Sequence, residues 1–145
     1  LIDTTASRPT STAPAALRVL RATAALAVLV LVYQGVTAGQ MFGQSEAAES
    51  LRGLGAIGTH VLTGLAAIAA GLLWFTSRGP LWPTVLAAVV FVVSFVQAYL
   101  GDGSTMSVHV PLATVLLVGA TWLLVWSLSR PALRASGSSR ATRAR

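Results

Sequence analysis

Hydropathy along the chain rises and falls four times. Almost uninterrupted apolar and small residues fill positions 22–36, 55–75, 82–100 and 106–128, and charged residues are confined to the intervals between them. No strict alternation marks strands, and each run approaches the roughly 20 residues an α-helix needs to cross a hydrocarbon core. The pattern predicts an all-α chain: an integral membrane four-helix bundle with spans at about 14–38, 55–75, 82–100 and 106–128. The first span carries Arg18 and Arg21 at its start, where long cationic side chains can snorkel to headgroups. Read as a cleaved signal, this run would be too long for an h-region, and its removal would leave an odd number of spans.

The intervals between spans read as connections and tails. Residues 1–13 are rich in Ser, Thr, Ala and Pro, and residues 129–145 form a basic Ser/Ala/Gly stretch; both are expected to be disordered. Residues 39–54 make the longest connection, and Ser45 followed by Glu46 and Glu49 resembles a capped helix start leading into the second span. A tight turn is expected at 76–81, with Pro80 and Pro83 in the first turn of the third span, where a missing N–H costs little. Ser104 or Thr105 is placed to cap the fourth.

Composition narrows the class. Of 145 residues, 54% are hydrophobic and 10% charged, well outside the range of soluble domains. The absence of cysteine excludes disulfides, thiolate metal sites and covalently attached haem. A net charge of +6 invites a nucleic-acid reading, but all ten basic residues are arginines at chain ends or in short connections, as membrane topology requires. No nucleic-acid partner is expected; the expected partner is the lipid bilayer. With the N-terminus inside, Arg8, Arg18, Arg21, Arg78, Arg130, Arg134, Arg140, Arg143 and Arg145 collect on one side and Arg52 alone on the other. That asymmetry predicts cytoplasmic termini in a bacterial inner membrane. Trp74, Trp82 and Trp126 would anchor the inner interface, with Tyr33 and Tyr99 at the outer.

The chain has two histidines, and each sits about one turn into an apolar run: His60 in the second span, His109 in the fourth. Ionisable groups at membrane depth are costly, so each calls for a partner, and the expected partner of each is the other. Gln34 and Gln97 stand near the outer ends of the first and third spans, so the sequence reads as two pseudo-repeated helical hairpins. An axis along the membrane normal would then bring the second and fourth helices together. Two imidazoles facing one another at one depth suit a haem b iron, held by one axial nitrogen from each side. A porphyrin needs small neighbours, and Gly64, Ala67 and Gly71 continue the His60 face as Ala113 and Ala120 continue that of His109. Arg52, the lone outer cation, would hold a propionate.

Histidines near the outer ends of the second and fourth helices of a four-helix unit resemble one half of the haem A synthase family. They also resemble small bacterial four-span proteins with a histidine on the same two helices. The resemblance covers residues 32–128 and implies His60 and His109 as axial haem ligands. Ile57 stands where that synthase family has a glutamate, Val61 where an arginine commonly follows the histidine, and a second four-helix half is absent, so haem A synthesis is not implied.

The reading that emerges is a membrane protein with one haem b (cofactor-binding His60, His109, Gly64, Ala67, Ala113 and Arg52), acting in electron transfer as a subunit of a respiratory or other redox complex. No catalytic residue is expected, since the spans hold no acid, nucleophile or phosphate loop. Two alternatives stand beside it: a haem-free accessory subunit of a larger membrane complex, and a His/Met metal site that adds Met41 and Met106 to the histidines.

Overall fold

A computed structural model describes residues 13–40, 46–101 and 106–130, with side chains for 13–38, 53–101 and 107–130. The expected tails, the caps at Ser45, Ser104 and Thr105, and the side chains of Arg52, Met41 and Met106 lie outside the described residues. Four helices follow one another: α1 (Ala13–Gln40), α2 (Glu46–Ser77), α3 (Trp82–Tyr99) and α4 (Met106–Ser129). All four are long and apolar enough to cross a membrane. In hydrocarbon every backbone polar group must be satisfied within the segment, which is why such runs have no alternative to the helix.

The chain winds up and down so that α1 packs on α2, α2 on α3, α3 on α4 and α4 back on α1. Accordingly α2 and α4 stand across the diagonal of the ring, on opposite sides of its central axis. The starts of α1 and α3 and the ends of α2 and α4 gather at one end, the arginine end. The opposite end carries the histidines.

Two of the boundaries differ from expectation for physical reasons. The helix start read at Glu46 and Glu49 does lead into the second span; what differs is that no break separates them, so the segment before residue 55 and the span are one 32-residue rod. At about 1.5 Å per residue it is some 48 Å long, well over a hydrocarbon thickness of about 30 Å. Pro80 lies outside α3, in the turn before it, and only Pro83 occupies the helix's first turn. α2 ends at Arg78, which takes the left-handed conformation (φ 51°), its N–H bonded to the Trp74 carbonyl at 2.9 Å. This position usually belongs to glycine, and here Gly79 comes one residue late.

The core is built from small residues. Ala24, Ala27, Ala66, Ala69, Ala70, Ala87 and Ala120 are buried, with Leu20, Leu116 and Leu123 filling the space between them. Lipid tails are as apolar as these side chains, so no hydrophobic gain draws the helices together; close approach and polar contacts must do so. Two such polar contacts tie α1 to its neighbours. At the histidine end the Gln34 amide of α1 donates to the Gly55 carbonyl (3.0 Å) and to Thr59 Oγ1 (2.6 Å) of α2. At the arginine end the Arg21 guanidinium of α1 donates to the Ser127 carbonyl (2.9 Å) and to the Arg130 carbonyl, satisfying acceptors that the last turn of α4 leaves open.

Candidate functional site at the histidine end

Buried Pro83, Ala87, Val90 and Ser94 form the inward stripe of α3, and Gln97 falls next on the same spacing. Both histidines lean on this stripe. His60 Nδ1 is 2.9 Å from Ser94 Oγ, and His109 Nδ1 is 3.1 Å from the Gln97 carbonyl oxygen. Ser94 and Gln97 are three residues apart, so the two anchor points are separated by about 4.5 Å along the helix. Among the described residues no hydrogen bond or ring contact joins one histidine to the other; each has its partner on the helix between them.

Hydrogen bookkeeping fixes both imidazoles. A carbonyl only accepts, so His109 Nδ1 carries the proton. Ser94 has one hydroxyl hydrogen, and it is committed to the Phe91 carbonyl at 2.6 Å. The serine therefore accepts from His60, whose Nδ1 is protonated too. A neutral imidazole so held leaves its lone pair on Nε2, and neither Nε2 finds a donor among the described residues. Within the same turn the Gln97 side-chain oxygen is buried without a partner. The two Nε2 atoms and Gln97 Oε1 can accept but not donate, a set that suits an electron-poor centre.

One face of the His60 ring is covered. Its ring stacks on Phe95, centroids 4.2 Å apart and planes within 4°. Phe95 in turn meets Phe91 edge to face at 5.1 Å. A Cβ built on Gly64 would come within 3.0 Å of Phe91 Cε2, so the small residue expected to make room for a porphyrin receives a phenyl ring of α3. Ala67 packs against the buried cluster centred on Leu20 and the alanines of α2. On α4, His109 and Ala113 are half-buried, and the His109 ring lies against Gly101, whose added Cβ would be 3.7 Å from Cε1. α4 continues through Pro111, which has no N–H to return to the Ser107 carbonyl one turn back, close to the histidine.

The haem test therefore divides. The donor set fits an iron, because Nδ1-anchored imidazoles presenting Nε2 are what axial ligation requires. Helix spacing agrees: neighbours about 8–10 Å apart place diagonal helices roughly 11–14 Å apart, room for a side chain from each and an atom between them. The plate's space beside Gly64, in contrast, is held by Phe91 and Phe95. Among the described residues no group of three or more His, Cys, Asp or Glu gathers as a metal site. Ser94 and the two phenylalanines are what reading the sequence missed, and Gln97, singled out by its position, meets His109 through its backbone carbonyl. A serine inside an apolar helix signals only a local back-bond, and nothing in its spacing from His60 marks the pairing. The pseudo-repeat is likewise unequal in bonding: Gln34 uses its side chain across helices, whereas Gln97 offers its backbone.

No protein-family model, curated protein or solved structure matches the chain.

Proposed function

We propose that this chain is a membrane haem b protein with His60 and His109 as axial ligands, carrying electrons as a subunit of a larger redox assembly. One observation carries the proposal: both imidazoles are anchored through Nδ1 on one turn of α3 and leave Nε2 bare. When bound, haem iron supplies reversible one-electron chemistry. The chain's own residues do the positioning. The Ser94 hydroxyl and the Gln97 carbonyl accept the Nδ1 protons, which fixes each ring's orientation and raises the basicity of the free nitrogen. Two strong axial donors leave no coordination position for a substrate, which favours electron transfer over oxygen chemistry. Phe91 and Phe95 would have to turn out toward lipid to admit the macrocycle, and Phe95 is already half exposed on that side. Gly64, Ala67 and Ala113 would then border it, with Arg52 at the wet rim facing a propionate.

The arginine asymmetry supports termini in the cytoplasm and a site in the outer half of the inner membrane. A reporter fused after Arg145 should read as cytoplasmic and one inserted near Gln44 as external; the reverse would move the site to the other leaflet.

A haem-free packing subunit is the competing reading, and the filled space at Gly64 together with the His60–Phe95 stack favours it. A visible spectrum of protein purified after expression with ample haem separates the two. A Soret band with reduced-minus-oxidised b-type features, lost in His60→Ala and in His109→Ala, supports ligation. Folded protein without a Soret band removes it, and the histidines then stand as struts on α3.

A further inference from the structure

Between α3 and α4 an open groove of about 520 Å³ faces the membrane, walled by Leu86, Val89 and Val93 on one side and Val115, Val118 and Gly119 on the other. We propose that it seats one acyl chain of an anionic phospholipid whose phosphate is held at Arg130. The walls are apolar throughout except at Thr114, and that hydroxyl already bonds the Val110 carbonyl of its own helix. Nothing there would hold water or a polar ligand. The length of the groove selects its occupant. It runs along α3 from Trp82 to Val93, and eleven steps at about 1.5 Å make roughly 16 Å, half of a hydrocarbon core about 30 Å thick. A helix from a partner would need a seat across the whole membrane, whereas a lipid tail occupies one leaflet.

The groove reaches the arginine end through Trp82, and among the described residues that end carries cations and no acid. Trp82 at its mouth meets Trp126 edge to face at 5.4 Å, and the Arg130 guanidinium lies 4.8 Å above the Trp126 ring. The chain's four carboxylates are Asp3, Glu46, Glu49 and Asp102, so none lies on α3, on α4 or in the turn between α2 and α3. Arg130 has no carboxylate partner among the described residues, and Arg18, Arg21 and Arg78 add cations at the same end without an acid between them. Arg130 borders the adjoining cavity one tryptophan ring beyond the groove's mouth, within reach of the headgroup of a lipid whose tail lies in the groove. A cation so placed at membrane level selects a phospholipid with net negative charge.

The test uses the full chain in detergent, with phosphatidylglycerol and phosphatidylcholine of identical acyl chains as probes and retention read by native mass spectrometry. Wild-type protein should retain phosphatidylglycerol in preference to phosphatidylcholine. Arg130→Gln should reduce that preference about fivefold, the effect of one cation near an anionic surface. Filling the groove with Val89→Phe and Val115→Phe together should abolish retention of both lipids while the helical circular dichroism stays unchanged. Equal retention of the two lipids by wild type overturns the proposal. So does an unchanged preference in Arg130→Gln, or undiminished binding in the folded double variant.

Discussion

Gly55→Ala puts the contact between α1 and α2 to a quantitative test. On an unobstructed helix the change stabilises by about 0.8–1.0 kcal/mol, because alanine loses less backbone freedom on folding. Here the new methyl would stand 2.9 Å from Gln34 Cγ and 3.2 Å from its Cδ, closer than carbon atoms can sit. The carboxamide must retreat, and with it go the bonds to the Gly55 carbonyl and Thr59 Oγ1. Hydrogen bonds between membrane helices average about 0.6 kcal/mol, so the pair represents roughly 1.2 kcal/mol. Crowding a packed interface adds about 1–3 kcal/mol. Set against the propensity gain, the net expectation is a loss of about 1–3 kcal/mol. In a Gln34→Ala background the obstruction is gone, and Gly55→Ala should stabilise by about 0.8–1.0 kcal/mol. The same substitution thus changes sign, as residues in direct contact can. Reversible unfolding in mixed micelles titrated with SDS, followed by circular dichroism, measures all four corners of the cycle. The reasoning fails if Gly55→Ala stabilises with Gln34 present, or if the two substitutions are additive.

Ser94→Ala removes the acceptor that fixes His60; if haem is bound it should shift the midpoint potential and broaden the low-spin signals in electron paramagnetic resonance, while Ser94→Thr, which keeps the hydroxyl, should restore both. Arg21→Met should cost about 1–3 kcal/mol in the same unfolding assay, the range for hydrogen bonds to a charged group, and hydrogen exchange should accelerate in the last turn of α4 before anywhere else. Arg78→Gly should stabilise by about 1 kcal/mol, since glycine carries no penalty at a positive φ; a destabilised protein would show that the arginine side chain contributes more than its backbone costs.

The four spans were legible because hydropathy and length alone specify them, and the structure moves their limits by a few residues except at α2. There the span was bounded at residue 55 because Glu46, Glu49 and Arg52 break the apolar run, while the helix start read at Glu46 and Glu49 is where α2 begins; polarity at a membrane edge ends the span without ending the helix. Which helices would be neighbours was harder to read. Matching histidines suggested that α2 and α4 face one another but not what lies between them; short connections bring consecutive helices together, so these two stand across the diagonal with α3 as a neighbour of both. The glycine at 64 shows why the site itself was only half visible. A small residue on an inward face announces that something large approaches, and a phenyl ring from α3 meets that description as well as a cofactor does. Ser94 was silent for a similar reason: its bond to Phe91 is what any serine in a helix makes, and only the fold shows that His60 shares the same oxygen.

The clasp between Arg21 and the last turn of α4 joins groups 106 residues apart in sequence. During synthesis α1 enters the bilayer before α2 and α3, and α4 follows these three. The α1–α2 hairpin can close its own contact through Gln34 as soon as the second span is in place, since only 21 residues separate Gln34 from Gly55. Arg21 lacks these acceptors until α4 arrives. Assembly thus has an order written into it, with a local hairpin first and the ring of helices completed at the end. A chain arrested before α4 would hold its second arginine of α1 against headgroups, and the trapped hairpin would be distinguishable from the finished bundle by the accessibility of that one side chain.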